Sequence, residues 1–257
     1  MARILITGSA DGLGQMAARL LVADGHSVVL HARHAQRARE ALRAVPGAQT
    51  AVFGDLSQLA EMRSVAEQAN DVGSFDAIIH NAGIGYRERR RIATSDALPH
   101  VFAVNTLAPY VLTALIRKPQ RLVYVSSGMH QSGDASLRDL EWNARAWNGS
   151  QAYSDSKLHD VILAFAVARL WPTVRSNALE PGWVPTKMGG PGAPDNLEAA
   201  PKTQVWLATS GDAAAMVTGE YFYHQRLRTP LPATRDPKVQ DRLLSACARL
   251  SSIPFPA

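Results

Sequence analysis

Tyr153 and Lys157, four residues apart, are the side chains of this chain best suited to moving a proton. On a helix that spacing puts both on one face, one turn apart. A phenol beside an ammonium is stabilised as phenolate, so its pKa should fall from about 10 towards the range where acid–base catalysis works at neutral pH. The same spacing occurs on many helices that do no chemistry, so the pair gains meaning only from its company. That company is Ser127, a hydroxyl at the end of an apolar run, and a glycine-rich turn near the start of the chain.

The turn reads Thr7-Gly8-Ser9-Ala10-Asp11-Gly12-Leu13-Gly14 and lies between an apolar run and a helical stretch. Glycines there allow a tight turn and let backbone N–H groups approach a pyrophosphate, with the helix N-terminus favouring negative charge. Gly8, Ser9, Asp11, Gly12, Leu13 and Gly14 are therefore candidate cofactor contacts. The next apolar run ends in His31-Ala32-Arg33-His34. No acidic residue stands there to accept from the ribose hydroxyls of NAD, whereas Arg33 can pair with a 2′-phosphate. The reading is NADP(H) in preference to NAD(H), with a solvent-facing Arg33 as the plain alternative. Asp55, followed by Leu56, can accept from an adenine amino group or cap the next helix.

Short apolar runs alternate with helical stretches, which predicts an α/β fold: one doubly wound Rossmann domain over residues 1–257, with about seven strands in a parallel sheet and helices on both faces. Strands are predicted over 3–7, 27–31, 50–53, 77–80, 121–126, 174–179 and 220–224. Helices are predicted over 15–23, 35–44, 59–69, 98–116 and 152–170. Gly8, Arg33, Asp55, Asn81, Ser127 and Pro181-Gly182 each follow one of the first six strands. In a parallel sheet those ends share one edge, the edge where open α/β sheets bind ligands. Residues 181–200, rich in Gly and Pro, read as a flexible substrate loop or a surface excursion.

The chain carries a formal net charge of +5, which suits anionic ligands without pointing to nucleic acid. Cys247 is the only cysteine, so no intrachain disulfide forms, and no His, Asp or Glu spacing suggests a metal site. No apolar run reaches the ~20 residues of a membrane span, and the start leaves no room for a signal peptide, so a cytoplasmic protein is expected.

Taken in order, Thr7-Gly8-x-x-x-Gly12-x-Gly14, Asn81-Ala82-Gly83, Asn105, Ser127, Tyr153-x-x-x-Lys157 and Pro181-Gly182-x-Val184-x-Thr186 resemble the short-chain dehydrogenase/reductase family over nearly the whole chain. Ser126-Ser127-Gly128-Met129-His130, the long gap to Tyr153 and the tail around Gly219-Glu220-Tyr221-Phe222 look closest to its retinol-dehydrogenase-like branch. The resemblance implies a hydride transfer between nicotinamide and a carbonyl or alcohol. It implies Tyr153 as general acid or base, Lys157 as its partner and a ligand of the nicotinamide ribose, and Ser127 as the group polarising the carbonyl. Asn105 would hold a water that links Lys157 to solvent. Asn81, Ala82 and Gly83 would line the adenosine ribose, and Pro181, Gly182, Val184 and Thr186 would face the nicotinamide. A homodimer or homotetramer paired through the long helices is also implied. Three features depart from the pattern. No membrane anchor precedes the first strand, the connection from Ile116 to Arg121 is short, and Glu180 precedes Pro181. A mainly apolar pocket built from Tyr86, Met129, Trp142, Trp147, Trp183 and Met188 would suit a bulky hydrophobic carbonyl. A non-enzymatic NADP-binding regulator and an epimerase or dehydratase of related fold are the rival readings.

Overall fold

The short apolar runs become strands because each has two cores to fill. The computed structural model describes residues 1–256. In β1 (Arg3–Ile6), Ile4 and Ile6 enter one core and Leu5 the other. The same alternation runs through β2 (Ser27–Ala32), β4 (Ala77–His80) and β5 (Arg121–Val125). Strands buried on both faces read as continuous apolar runs, which is why the sequence shows them so clearly. With β3 (Thr50–Phe53), β6 (Arg175–Glu180), β7 (Tyr221–Tyr223) and β8 (Arg226–Leu227) they form one sheet in the order β3-β2-β1-β4-β5-β6-β7-β8. All pairs are parallel except β7 with β8, a two-residue edge strand that sequence pattern did not show.

Helices α1 (Gly12–Ala23), α2 (Ala35–Ala44) and α7 (Lys202–Thr209) contribute to the core on one face. On the other face lie α3 (Leu59–Val72), the single turn α4 (His100–Phe102), α5 (Ala108–Leu115), α6 (Gly149–Leu170) and α8 (Pro237–Ser251). The chain reverses its direction of winding between β1 and β4, so their carboxyl ends open a crevice.

The helix expected over 98–116 is not continuous. A π-helical segment, Ala103–Leu107, joins α4 to α5, and the Ala108 N–H bonds back to the Ala103 carbonyl. Pro109 has no N–H to offer the carbonyl four residues earlier, and the wider turn accommodates that gap. Asn105 sits in this segment, fully buried.

The α6 helix is buried without a break from Ala152 to Val167. Part of its cover is α8, through Leu243 and Cys247, together with the C-terminal tail. The Tyr110 hydroxyl donates to the Ile253 carbonyl at 2.8 Å, and Phe255 stacks on Trp171 at 5.0 Å. The outward side of α6 is therefore packed against the chain's own C-terminal segment.

Candidate active site

Steric necessity shapes the glycine turn. Gly8 has φ +64°, and a Cβ there would lie 2.7 Å from the Ala82 Cα. A Cβ on Gly14 would meet the Gly8 carbonyl oxygen at 2.5 Å. Asn81 ties β4 to the turn: its side-chain amide donates to the carbonyls of Thr7 and Gly8 at 3.0 and 3.2 Å. The Thr7 hydroxyl accepts from the N–H groups of Asn81 and Ala82, both at 3.0 Å. Ser9 differs from the expectation that it contacts cofactor. It is wholly buried, its hydroxyl donates to the Ile6 carbonyl and accepts from the His31 N–H, and its own N–H donates to the His31 carbonyl. Its polar groups are spent bracing the turn from behind.

His31 is a strut that sequence pattern gave no reason to single out. The Gly8 N–H donates to its Nδ1 at 3.0 Å, so the proton sits on Nε2, which donates to the Gly54 carbonyl at 3.0 Å. One neutral ring thus joins the ends of β1, β2 and β3.

A cleft of about 830 Å3 runs along the carboxyl edge of the sheet. Gly8, Asp11, Gly12, Leu13, Arg33, Asp55, Leu56, Asn81, Ala82, Gly83, Tyr153, Lys157, Pro181 and Thr186 line it. Gly182 and Val184 do not: Val184 is buried, and Gly182, at φ +90°, supports the turn that Asp195 braces through the Trp183 N–H. Gly14 lies below the cleft as a packing glycine, and Asn105 lies behind it. Arg33 is exposed and makes no ion pair among the described residues. Asp55 accepts from the Ser57 N–H at 2.9 Å, as a turn-capping residue does, while still facing the cleft. Asp11 pairs with Arg37 at 3.3 Å and with Lys187 of the 181–200 segment at 3.0 Å, so that segment reaches across to the glycine turn.

At the far end of the cleft α6 delivers Tyr153 and Lys157; of the two serines that follow β5, Ser126 lines the cleft and Ser127 does not, although Ser127 lies against the Tyr153 phenol. The Ser126 hydroxyl is spent on the Lys157 carbonyl at 2.6 Å, which leaves Ser127 as the hydroxyl beside Tyr153. The Tyr153 hydroxyl lies 3.8 Å from the Met188 sulfur, and its ring meets Tyr86 edge-on at 5.7 Å. The Lys157 ammonium donates to the Val125 carbonyl at 2.9 Å and to the Asp160 carboxylate at 2.8 Å. The Asn105 amide holds Ile84 from both sides, accepting from its N–H at 2.8 Å and donating to its carbonyl at 3.0 Å, and also donates to the Ser156 hydroxyl.

The lowered phenol expected from the Tyr–Lys spacing is corrected by this geometry. Burial raises the Tyr153 pKa above its ordinary 10, and the opposing pulls of Lys157 and Ser127 do not cancel it. Asp160 adds to the rise by offsetting the lysine's charge. Glu180, the residue that departs from pattern, is buried against Gly128 and paired with Arg228. Burial raises its carboxyl despite that partner. Trp142 and Trp147 do not line the cleft: they pack on each other at 5.0 Å in a separate small core with Val101. Trp183 is 56% exposed. His130 bonds the Ser127 carbonyl and the Leu231 N–H, and His159 bonds Thr106, so both serve structure.

A dinucleotide-sized cleft ending in a tyrosine, a lysine and a serine needs only a lineage to decide its chemistry. The family model for short chain dehydrogenases matches residues 2–135, more than half of the chain. The chain belongs to the short-chain dehydrogenase family. An uncharacterized oxidoreductase of Emericella nidulans is 45% identical over all of this chain and 99% of its own length. Retinol dehydrogenase 13 of Homo sapiens is 28% identical over 99% of this chain and 86% of its own length, in keeping with the likeness to that branch. A crystal structure of an uncharacterized protein from Mycobacterium paratuberculosis superposes with a TM-score of 0.84 at 25% identity, covering 100% of this chain and 96% of that one. This short-chain dehydrogenase is an oxidoreductase of a family that uses NAD(P)(H) on small molecules.

The buried histidines give the dehydrogenase an acid limit. Burial pushes His31 and His159 down from 6.5 to about 4 and His80 to about 3. Each binds its proton more readily unfolded, so the stability tied to its neutral form is complete above about pH 6.5 and drains as the pH falls towards 4. Asp160, raised by burial to about 6, acts in the opposite sense. Unfolding in urea at pH 5 is expected to show a stability roughly 2–4 kcal/mol below that at pH 7. Equal stability at the two pH values would contradict the neutral, buried assignment.

Proposed function

We propose that this enzyme transfers a hydride between NADP(H) and a bulky, hydrophobic carbonyl or alcohol. The observation that carries the reading is the single cleft that starts at Gly8 and Arg33 and ends at Tyr153 and Lys157. The fit to a dinucleotide rests on the turn itself, where a Cβ at Gly8 or Gly14 would strike backbone. Gly12, Leu13 and the α1 N-terminus face the pyrophosphate position, Arg33 the 2′-phosphate, and Asp55 and Leu56 the adenine. Asn81, Ala82 and Gly83 border the ribose nearest β4. Pro181, Gly182, Val184 and Thr186 shape the nicotinamide end, the first and last by contact and the middle two by holding the turn.

When bound, the nicotinamide gives or takes the hydride. Tyr153 gives its proton to the carbonyl oxygen during reduction and recovers it during oxidation. Its raised pKa keeps it protonated at neutral pH, the form reduction needs. Ser127 donates a hydrogen bond to the same oxygen and polarises the carbonyl. Lys157 holds positive charge beside the phenol and orients the ribose. Asn105, with its amide engaged by Ile84 and Ser156, fixes Ile84 beside the site. Ile84, Val104, Met188 and Leu197 supply the apolar surface for the substrate, with Tyr86 set edge-on against the Tyr153 ring.

A panel of bulky ketones and aldehydes, including benzil, menadione and retinal, tests the reading by steady consumption of NADPH and NADH. Turnover on the panel excludes a purely regulatory NADP-binding protein, and binding without turnover would overturn the proposal. Arg33→Ala is expected to weaken NADPH roughly 10–100-fold, the worth of a charge-assisted pair, and to leave NADH almost unchanged. Equal losses for the two cofactors, measured by fluorescence titration, would remove the 2′-phosphate assignment. Because α6 has no uncovered face, light scattering is expected to return a monomer of 27.8 kDa instead of a long-helix dimer or tetramer. A dimer would place the contact elsewhere, as at the β8 edge where Leu227 is exposed. Action in the cytoplasm accords with a lone, unpaired and buried Cys247.

A further inference from the structure

We propose that Asp160 is a positioning residue of the proton-transfer pair: its carboxylate is the counterion that keeps buried Lys157 an ammonium and fixes where that charge sits. The inference rests on the reading of Tyr153 and Lys157 given above. Asp160 lies one turn beyond Lys157 on α6, and its Oδ2 accepts from Lys157 Nζ at 2.8 Å. The two side chains are 4% and 6% exposed, so solvent does not screen the pair. The other acceptor on Nζ is the neutral Val125 carbonyl, and no second carboxylate pairs with Lys157 among the described residues.

An ammonium taken out of water without a partner loses its proton well below its ordinary pKa. Burial acts on Lys157 in that direction, and the Asp160 carboxylate, the larger of the two opposing influences with Tyr153, outweighs it. The titratable groups facing Asp160 are Lys157 and Tyr153 on its own helix and Tyr124 on β5. Behind Tyr124, α5 presents the Thr113 hydroxyl at 2.8 Å, and β4 presents the His80 ring at 4.8 Å, held neutral by burial. Asp160 is thus the one anion in a pocket otherwise furnished with neutral groups and Lys157. It acts on Tyr153 through the lysine, and it touches no position open to substrate or cofactor, since it does not line the cleft.

Asp160→Asn keeps the shape and removes the charge. Two consequences follow, and both act the same way on carbonyl reduction. While Lys157 remains charged, its uncompensated field lowers the Tyr153 pKa, so the general acid is lost at lower pH. Once Lys157 gives up its proton, the phenol loses the cation that supports it. The alkaline limb of kcat/KM, measured with NADPH and the fastest carbonyl of the panel, is expected to move down by at least ~1 pH unit, a ~10-fold relative loss above the new limb. Asp160→Glu, which keeps the charge, is expected to restore the limb. A structural role alone would lower Tm without moving the limb. An unchanged limb in a folded Asp160→Asn protein overturns the proposal. If that variant does not fold, the wild-type chain decides: 15N NMR of lysine side chains at pH 8 should place Lys157 Nζ at an ammonium shift, and a neutral-amine shift overturns it. Tyr153→Phe run alongside separates the failures. Normal turnover in that variant defeats the catalytic reading, whereas an inactive Tyr153→Phe with an unmoved Asp160→Asn limb defeats this inference alone.

Discussion

Tyr153→Phe is expected to lower kcat for carbonyl reduction at least ~100-fold while leaving NADPH affinity within a few-fold of the parent, the usual worth of a positioned general acid. The phenol is placed for that loss and for little else. Its hydroxyl meets the Ser127 hydroxyl and, at 3.8 Å, the Met188 sulfur, so removing it costs one neutral hydrogen bond at the cleft and none that ties the fold together. The ring keeps its edge contact with Tyr86 and its place on α6. Single-turnover kinetics with NADPH, paired with fluorescence titration of the cofactor, separate chemistry from binding. A fall in affinity that matched the fall in rate would mean that Tyr153 holds the dinucleotide and does not move the proton.

Gly14→Ala is expected to weaken NADPH binding ~10-fold or more and to destabilise the fold by roughly 1–3 kcal/mol, the range for an overpacked site. The added methyl would strike the Gly8 carbonyl at 2.5 Å and approach the Ser9 Cα at 3.0 Å, and backbone cannot swing aside as a side chain can. Moving Gly8 also breaks its bond to His31 and the Asn81 bridge to β4. Gly192→Ala is the control, because nothing lies within 4 Å of a Cβ there. Calorimetric titration and thermal melts check both variants. Parental affinity in Gly14→Ala would mean that the turn is not the pyrophosphate site.

The parts of this fold that were legible in the sequence are those whose signal is local. The strands at 50–53 and 77–80 and the helix at 35–44 occur where apolar period, proline and glycine place them. Strand order put Gly8, Arg33, Asp55 and Asn81 along one edge, and the cleft gathers them there. What escaped depends on contacts distant in sequence. Ser9 looks like a loop hydroxyl until β2 closes over it. His31 looks like an ordinary strand residue until Gly8 and Gly54 arrive at its two nitrogens. The Tyr153–Lys157 spacing was read correctly as one face of a helix, but the sign of the phenol's shift was not. That sign is set by burial of α6 on all sides and by Asp160, which the same helix carries one turn further on. The α8 helix has the amphipathic pattern of many surface helices, and only packing shows that it covers α6 while the tail beyond it closes over α5.

The most direct test of hydride transfer at this site uses NADPH deuterated at C4 of the nicotinamide and the best carbonyl of the panel. The account predicts one deuterium on the carbinol carbon of the product, from a single face of the nicotinamide, with the label absent from product when Tyr153→Phe replaces the parent over the same time. A product without deuterium at that carbon, or cofactor bound tightly with no product at all, would contradict it.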